Sequence, residues 1–243
     1  MSLYGTQSYT GATTVSGGKL TTSVALASSG VTVTGGTFET TAADVLGDTV
    51  GVTINGGTFS VLGTDTIGAL SGSGGTLSLG NEKTLTSSFN SAANSFAGTI
   101  SGGGVFAKAG SGTLTLSGNN TYTGGTTLSG GELIAGHVNA FGTGFINVGS
   151  GTTLNFSTYS VTNAITNNGG TVSGSGTLSG VDAEAGETTI GGNGSTVSQA
   201  GGTATVNVDA NNVVISNVGG SAQVNIAGTG AGVGTINSGT VNV

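Results

Sequence analysis

The sequence lacks several residue types, and each absence limits what the protein can do. Its 243 residues include no proline, cysteine or tryptophan, and its three basic residues besides His137 are Lys19, Lys83 and Lys108. Without cysteine there is no disulfide framework and no thiolate chemistry. Nucleic-acid binding is not expected, because clustered lysine and arginine are needed to neutralise a phosphate backbone and the net charge here is −7.

Long apolar runs are also missing. No stretch of 18 apolar residues occurs, so the sequence predicts no membrane-spanning helix. The start, Met1-Ser2-Leu3, lacks the basic and apolar regions of a signal peptide, and we expect the chain to be a fragment of a longer surface protein. Glycine supplies 51 residues, but the strict third-residue period and the proline of collagen are absent.

The apolar residues alternate with small polar ones. Examples are Val31-Thr-Val33, Leu77-Ser-Leu79 and Val206-Asn-Val208. This period of two predicts short strands with one buried face, and glycine pairs between them predict sharp corners. Residues 87–96 are the best candidate for a helix. Disorder is the alternative for a chain so rich in glycine, serine and threonine, but the regular placement of the apolar residues favours a folded protein.

Two internal repeats indicate how the strands are arranged. Residues 3–20 and 116–133 are identical at 11 of 18 positions, and residues 31–38 (VTVTGGTF) recur as 52–59 (VTINGGTF), 21 residues later. A repeated strand–turn unit at this spacing predicts an all-β fold, a parallel β-helix or β-solenoid with roughly 20 residues per coil. A β-sandwich is the alternative. We expect one β-helix segment over residues 1–243, with narrower coils or a changed cross-section after about residue 180, where phenylalanine disappears.

The most specific motif lies within residues 99–136. It comprises SGGG from Ser101, KAGSGTLTLSG from Lys108, NNTYTGGTT from Asn119 and GGEL from Gly130. This motif resembles the passenger-associated transport repeat of bacterial autotransporters. Residues 3–20 carry a half-length copy, in which Thr6-Gln7 replace the Asn119-Asn120 pair.

This resemblance implies a right-handed parallel β-helix, the passenger domain of a type V secretion system, located at the bacterial cell surface, anchored to the outer membrane or secreted. In that family the repeat is associated with export and folding rather than catalysis. Membrane attachment is expected only through a C-terminal barrel outside this segment. The resemblance therefore predicts a non-enzymatic structural stalk or adhesin scaffold without cofactor or metal, whose partners are host or bacterial surface glycans or proteins.

Two other functions stay open. A surface protein built from stacked coils could self-associate end to end into filaments, because exposed strand edges template further pairing. A carbohydrate-active β-helix enzyme would need carboxylates that converge on one bond. The nearest candidates are Asp182, Glu184 and Glu187, which we interpret as a solvated acidic turn.

The remaining polar candidates are interpreted as structural. Asp44 and Asp48 are typical of turns, and His137 is predicted to be a surface histidine because the sequence offers no second histidine and no cysteine to complete a metal site. The glycine-rich residues 229–234 are predicted to form a corner rather than a phosphate loop. Tyr9 and Tyr122, at equivalent repeat positions, either pack on a neighbouring coil, as the repeat favours, or stack on a ligand. Outward ladders or turns are predicted for four asparagines, with glycan binding as the alternative: Asn207, Asn225, Asn237 and Asn242.

Overall fold

The computed structural model describes residues 1–5, 7–90 and 93–243. It is an all-β parallel β-solenoid of about 13 turns with about 18 residues per coil, so the predicted fold class is confirmed and the coil length is close to the predicted one. The described residues form strands, turns and bends but no helix, and accordingly none of them belongs to a helix able to cross a membrane.

The chain forms two compact units. The first comprises Met1–Thr126 and Asn139–Gly144, and the second comprises Thr127–Val138 and Phe145–Val243. The strands of the first unit are β1 (Ser2–Leu3), β2 (Thr13–Val15), β3 (Lys19–Thr22), β4 (Gly30–Val33), β5 (Thr37–Thr40), β6 (Gly51–Ile54), β7 (Thr58–Val61), β8 (Asp65–Ile67), β9 (Leu70–Ser71), β10 (Thr76–Leu79), β11 (Thr84–Ser88), β12 (Asn94–Phe96), β13 (Thr99–Gly102), β14 (Val105–Ala109) and β15 (Thr113–Leu116). β16 (Thr126–Leu128) lies where the chain passes into the second unit. The remaining strands are β17 (Glu132–Ala135), β18 (Ile146–Val148), β19 (Thr153–Ser157), β20 (Ile165–Gly174), β21 (Ser179–Ile190), β22 (Thr196–Ala200), β23 (Thr205–Val208), β24 (Val214–Val218), β25 (Gln223–Ile226), β26 (Gly232–Ile236) and β27 (Thr240–Asn242).

Like residues stack on like in the first unit. The parallel pairs β4–β6 and β5–β7 align Val31 with Val52 and Phe38 with Phe59, so the 21-residue repeat is one coil, as predicted. The rings of Phe38 and Phe59 stack with their centroids 5.3 Å apart, and neither ring is exposed. Alternation in sequence thus becomes a continuous inner column of apolar side chains.

The core of the second unit is built from smaller side chains. Its later coils bury valine and alanine, including Val206, Ala210 and Val224. Val206 pairs with Val224 and Val224 with Val241, which sets coils of 18 and 17 residues. In the first unit, Leu77 and Ile100 pair 23 residues apart. Coils of 18 residues also occur in the first unit, where Leu20 pairs with Phe38, so the difference after residue 180 lies in side-chain size rather than in coil length.

The helix suggested for residues 87–96 is wrong where the structure describes it. The segment runs from the end of β11 into β12, and Ser91 and Ala92 lie outside the described residues. Leu85, Ser87 and Phe89 are buried while the residues between them are only partly so. This period of two continues the strand pattern and outweighs the helix propensity of the alanines.

A column of glycines turns one corner of successive coils. Gly18 and Gly57 both adopt left-handed backbone conformations, with φ of 66° and 65°. A Cβ on Gly57 would lie 2.5 Å from the Gly36 carbonyl oxygen of the preceding coil, whereas a Cβ on Gly18 would meet nothing within 4 Å. Alanine substitutions at the two positions therefore distinguish the cost of backbone strain from the cost of a collision between coils.

We expect Gly57→Ala to destabilise the protein more than Gly18→Ala. Both variants carry the left-handed penalty of roughly 1–2 kcal/mol, but only Gly57→Ala also forces neighbouring coils apart, at a further cost of about 2 kcal/mol. Urea unfolding followed by circular dichroism measures the difference. Equal losses for the two variants would mean that the coils shift freely to accept the methyl group.

Candidate functional site

The two repeat copies build the same hydrogen bond. Tyr122 Oη lies 2.6 Å from Thr126 Oγ1, and Tyr9 Oη lies 2.9 Å from Thr13 Oγ1. Each threonine hydroxyl then reaches the next coil, where Thr126 donates to the Phe141 carbonyl oxygen at 3.1 Å. The repeat is therefore a structural unit as well as a sequence motif.

Tyr122 is an internal packing residue. Its side chain is fully buried, and its ring meets the ring of Phe106 edge-on at 6.4 Å. Burial raises the pKa of its hydroxyl, although the bond to Thr126 opposes this. The prediction that the repeat tyrosine packs on a neighbouring coil is confirmed for Tyr122, whereas Tyr9 keeps 37% of its surface exposed.

Asn120 joins three coils from inside. Its Oδ1 accepts a hydrogen bond from the Ile100 amide at 2.7 Å, and its Nδ2 donates to the Ala140 carbonyl oxygen at 2.6 Å. The side chain is 1% exposed, so both bonds form away from water, where an unpaired amide would be costly. The asparagine of the repeat thus adds coil-to-coil bonds to those of the backbone, in which Thr121 donates to the Ile100 carbonyl oxygen at 2.8 Å.

Among the residues that the structure describes, Asn120 and three other buried side chains have this role, and we call them coil staples. In each case a backbone amide of one coil donates to a polar side chain of the next coil, across 17 to 20 residues. The staples and their amide partners are Asp65 with Leu46, Ser87 with Leu70, Asn120 with Ile100, and Ser195 with Leu178. Sequence reasoning missed the set, although Asp65 and Ser87 stand at inward positions of the alternating pattern, which was a usable signal.

Lys108 of the repeat is also internal. Its ammonium donates to the carbonyl oxygens of Ala109 at 2.7 Å and Gly110 at 3.0 Å, and lies 4.5 Å from the centroid of the Phe89 ring. The side chain is fully buried, and this burial lowers the pKa of the amine to about 8. Carbonyl oxygens and an aromatic face hold the cation in place of water, so Lys108 offers no basic group to a surface site.

The acidic candidates lie on a strand, and their interpretation as a turn is wrong. Asp182, Glu184 and Glu187 belong to β21, a 12-residue strand whose pairing with β20 is irregular near Asn167 and Asn168. Glu184 accepts from Gln199 Nε2 at 2.9 Å, and burial together with Asp182 raises the pKa of Glu184. The VDA and TTI segments on either side are paired with the following coil, and between them the strand passes through the acidic stretch with shifts of register and a left-handed Gly186, with φ of 77°.

Glu187 takes part in a different arrangement from the other two acids. It accepts a hydrogen bond from Asn207 Nδ2 at 2.6 Å, Asn207 accepts one from Asn225 at 2.8 Å, and Asn225 accepts one from Asn242 at 2.7 Å. Asn237 likewise donates to Asn217 at 2.9 Å. The predicted asparagine ladders are confirmed, and their amides bond mainly to each other across successive coils.

The remaining sequence candidates are dispersed. Asp44 and Asp48 are exposed in a bend and a turn, as predicted, and His137 is half-buried in a bend after β17. Residues 229–231 form a corner, but β26 already begins at Gly232, so the second half of the glycine-rich stretch is strand. Within the described residues no three histidine, cysteine or acidic side chains cluster as a metal site would require.

Comparison with protein families identifies the motif. Residues 1–21 and 106–135 match the model of the Passenger-associated-transport-repeat family. Two segments of the chain are therefore similar to passenger-associated transport repeats. These repeats are typical of autotransporter passenger domains, and here they contain the paired Tyr–Thr bonds, Lys108 and Asn120. No curated protein and no solved structure matches the chain.

Proposed function

We propose that this chain is a non-enzymatic passenger segment of an autotransporter, displayed at the bacterial surface or secreted, in which the repeat assists export and folding. The repeat and the solenoid together fit an autotransporter passenger domain. One observation carries the finer proposal. The repeat's distinctive side chains, Tyr122, Asn120 and Lys108, are all buried and hydrogen-bonded inside the protein.

Buried groups of this kind act on folding rather than on a ligand. A repeat that bound a ligand would present its polar atoms to solvent, whereas Asn120 and Thr126 direct theirs to backbone carbonyl oxygens of another turn. Each newly formed coil offers such partners to the next, so folding can proceed coil by coil. Outside the cell, that progress would oppose backward sliding of the exported chain, and the finished solenoid would serve as a stalk or adhesin scaffold.

Export provides the test. The chain, placed between a secretion signal and an autotransporter translocator, is displayed on cells and quantified by surface proteolysis and antibody labelling. Asn120→Ala should lower the amount of protease-resistant passenger at the surface several-fold, because it removes two buried bonds. The control Asn225→Ala, in the outward ladder, should leave display close to wild type. Equal display of both variants would contradict a folding role for the repeat.

The non-enzymatic part of the proposal rests on the acidic strand. Asp182 and Glu184 adjoin Gln199 on β22, whereas Lys108 is buried in the other unit. Lys19 and Lys83 belong to that first unit too, so the described part of the second unit contains no lysine to neutralise an acidic sugar or to stabilise a developing anion. Cleavage of a panel of polysaccharides by the purified chain, abolished by Asp182→Asn or Glu184→Gln, would overturn this part of the proposal.

A further inference from the structure

Asp65 differs from the other coil staples because it alone can ionise. Ser87, Asn120 and Ser195 are neutral at every ordinary pH, and they hold the amides of Leu70, Ile100 and Leu178. Asp65 holds the Leu46 amide through Oδ2 at 3.1 Å. The same structural role is therefore filled once by a carboxyl group and three times by groups without a titratable proton.

The Asp65 carboxyl sits in an unfavourable place for a charge. Its residue is 1% exposed, and its second oxygen, Oδ1, is buried without a hydrogen-bond partner among the described residues. A carboxylate has about four acceptor sites to fill, and leaving them unfilled in the interior is costly. The neutral acid avoids most of that cost while its carbonyl oxygen still accepts from Leu46.

The surrounding charges add to the cost. Asp44, on the preceding coil, is the charged group that acts on Asp65, and the two carboxylates repel each other. On the following coil Leu85 is the pairing partner of Asp65, and strand β11 carries no titratable side chain. Burial is the largest effect and repulsion by Asp44 a smaller one; together they raise the pKa of Asp65 to about 6, against the opposing effect of nearby backbone amides.

We propose that Asp65 makes the corner formed by residues 41–50 a proton-dependent latch, which is held firmly when the carboxyl is neutral and loosened when it is ionised. The ends of this corner are held by backbone bonds, in which Thr41 donates to the Thr22 carbonyl oxygen and Gly68 to that of Val50. At its centre the coil-to-coil bonds are fewer: Leu26 donates to the Val45 carbonyl oxygen, Asp44 donates to that of Thr64, and the Leu46 amide relies on Asp65. Asp44 also holds a left-handed backbone conformation, with φ of 52°, on the exposed side of the corner.

The direction of the pH effect follows from the raised pKa. In the opened corner Asp65 titrates near the ordinary value of 3.8, and in the closed corner near 6. Below about pH 4 the carboxyl is neutral in both states and the latch is strongest. As the pH rises to 6 the open state alone loses its proton, so the closed state is progressively disfavoured, and above pH 6 the effect is constant.

Native-state hydrogen exchange tests the latch. Protection of the Leu46 amide should fall on the order of 100-fold between pH 4 and pH 7, after correction for intrinsic exchange. The Leu70 amide, held by the neutral Ser87, is the internal control and should change less than about threefold. Equal changes at Leu46 and Leu70 would overturn a local latch, and so would constant protection at Leu46.

A variant separates the carboxyl from other sources of pH dependence. Asp65→Asn keeps an acceptor oxygen for Leu46 and cannot ionise, so protection of Leu46 should become independent of pH between 4 and 7. Ser87→Ala should weaken protection of Leu70 equally at both pH values. A pH dependence that survives Asp65→Asn would contradict the proposal, and the wild-type comparison of the two amides decides the matter even where this variant folds poorly.

Discussion

Leu116→Asp is expected to leave the chain largely unfolded at room temperature. Leu116 ends β15 with no exposed surface, so the substitution removes a full aliphatic side chain and buries an unpaired carboxylate. The two effects together cost about 5 kcal/mol or more, which is comparable to the whole stability of many domains. Circular dichroism and urea titration of the purified variant measure the loss.

The neighbouring residue provides a matched control. Thr115 lies on the same strand but on the opposite face, half-buried and paired with Ser95. Thr115→Asp introduces the same charge one position away and should cost less than about 1 kcal/mol. A cooperative unfolding transition for Leu116→Asp at the wild-type urea concentration would show that the inward face of β15 is not part of the core.

Tyr122→Ala should produce the second largest loss, of about 3–5 kcal/mol. The ring is fully buried against Phe106, and truncating a buried aromatic side chain leaves a large cavity. Tyr9→Ala, at the equivalent position of the other repeat copy, removes a ring that is 37% exposed and should cost at most about half as much. Urea unfolding of the two variants under identical conditions compares them directly.

A third variant assigns the contribution of the hydroxyl. Tyr122→Phe keeps the ring and removes the 2.6 Å bond to Thr126, whose hydroxyl still donates to the Phe141 carbonyl oxygen. A loss of about 1 kcal/mol is expected. If Tyr122→Ala and Tyr9→Ala were equally mild, the repeat tyrosine would be a surface feature, and its burial would not explain why both copies carry it.

The fold could be predicted from the sequence because alternation and repetition can both be recognised in short segments of the chain. The segments containing Val31 and Val52 share the same alternation and most of their residues, and such segments stack in register when each coil repeats the previous one. Alternation is less informative in β14, where Phe106, Ala107 and Lys108 are all buried. The alternating pattern alone also does not predict that a lysine in such a strand keeps its ammonium group buried.

The coil staples were harder to predict. Ser87 occupies an inward position of the alternating pattern, but neither Ser87 nor Ser195 reveals its partner until the pairing of neighbouring coils is known, because the partners lie 17 residues away. The acidic stretch containing Asp182 and Glu184 fails for a related reason. Acidic residues next to glycine are typical of turns, and only the pairing of β20, β21 and β22 shows that the strand continues through them.

The asparagine ladder of the second unit has a consequence for how such a protein can change in length. Every amide in it donates toward the lower-numbered coil, from Asn242 to Asn225 to Asn207, and the series ends on the carboxylate of Glu187. Each rung is chemically the same as the next and lies one coil away. If one whole coil were removed or duplicated, an asparagine would again lie beside an asparagine, and the hydrogen bond between them could form as before. The length of this unit can therefore change by whole coils without loss of the ladder, whose rungs are already spaced by 17, 18 and 20 residues.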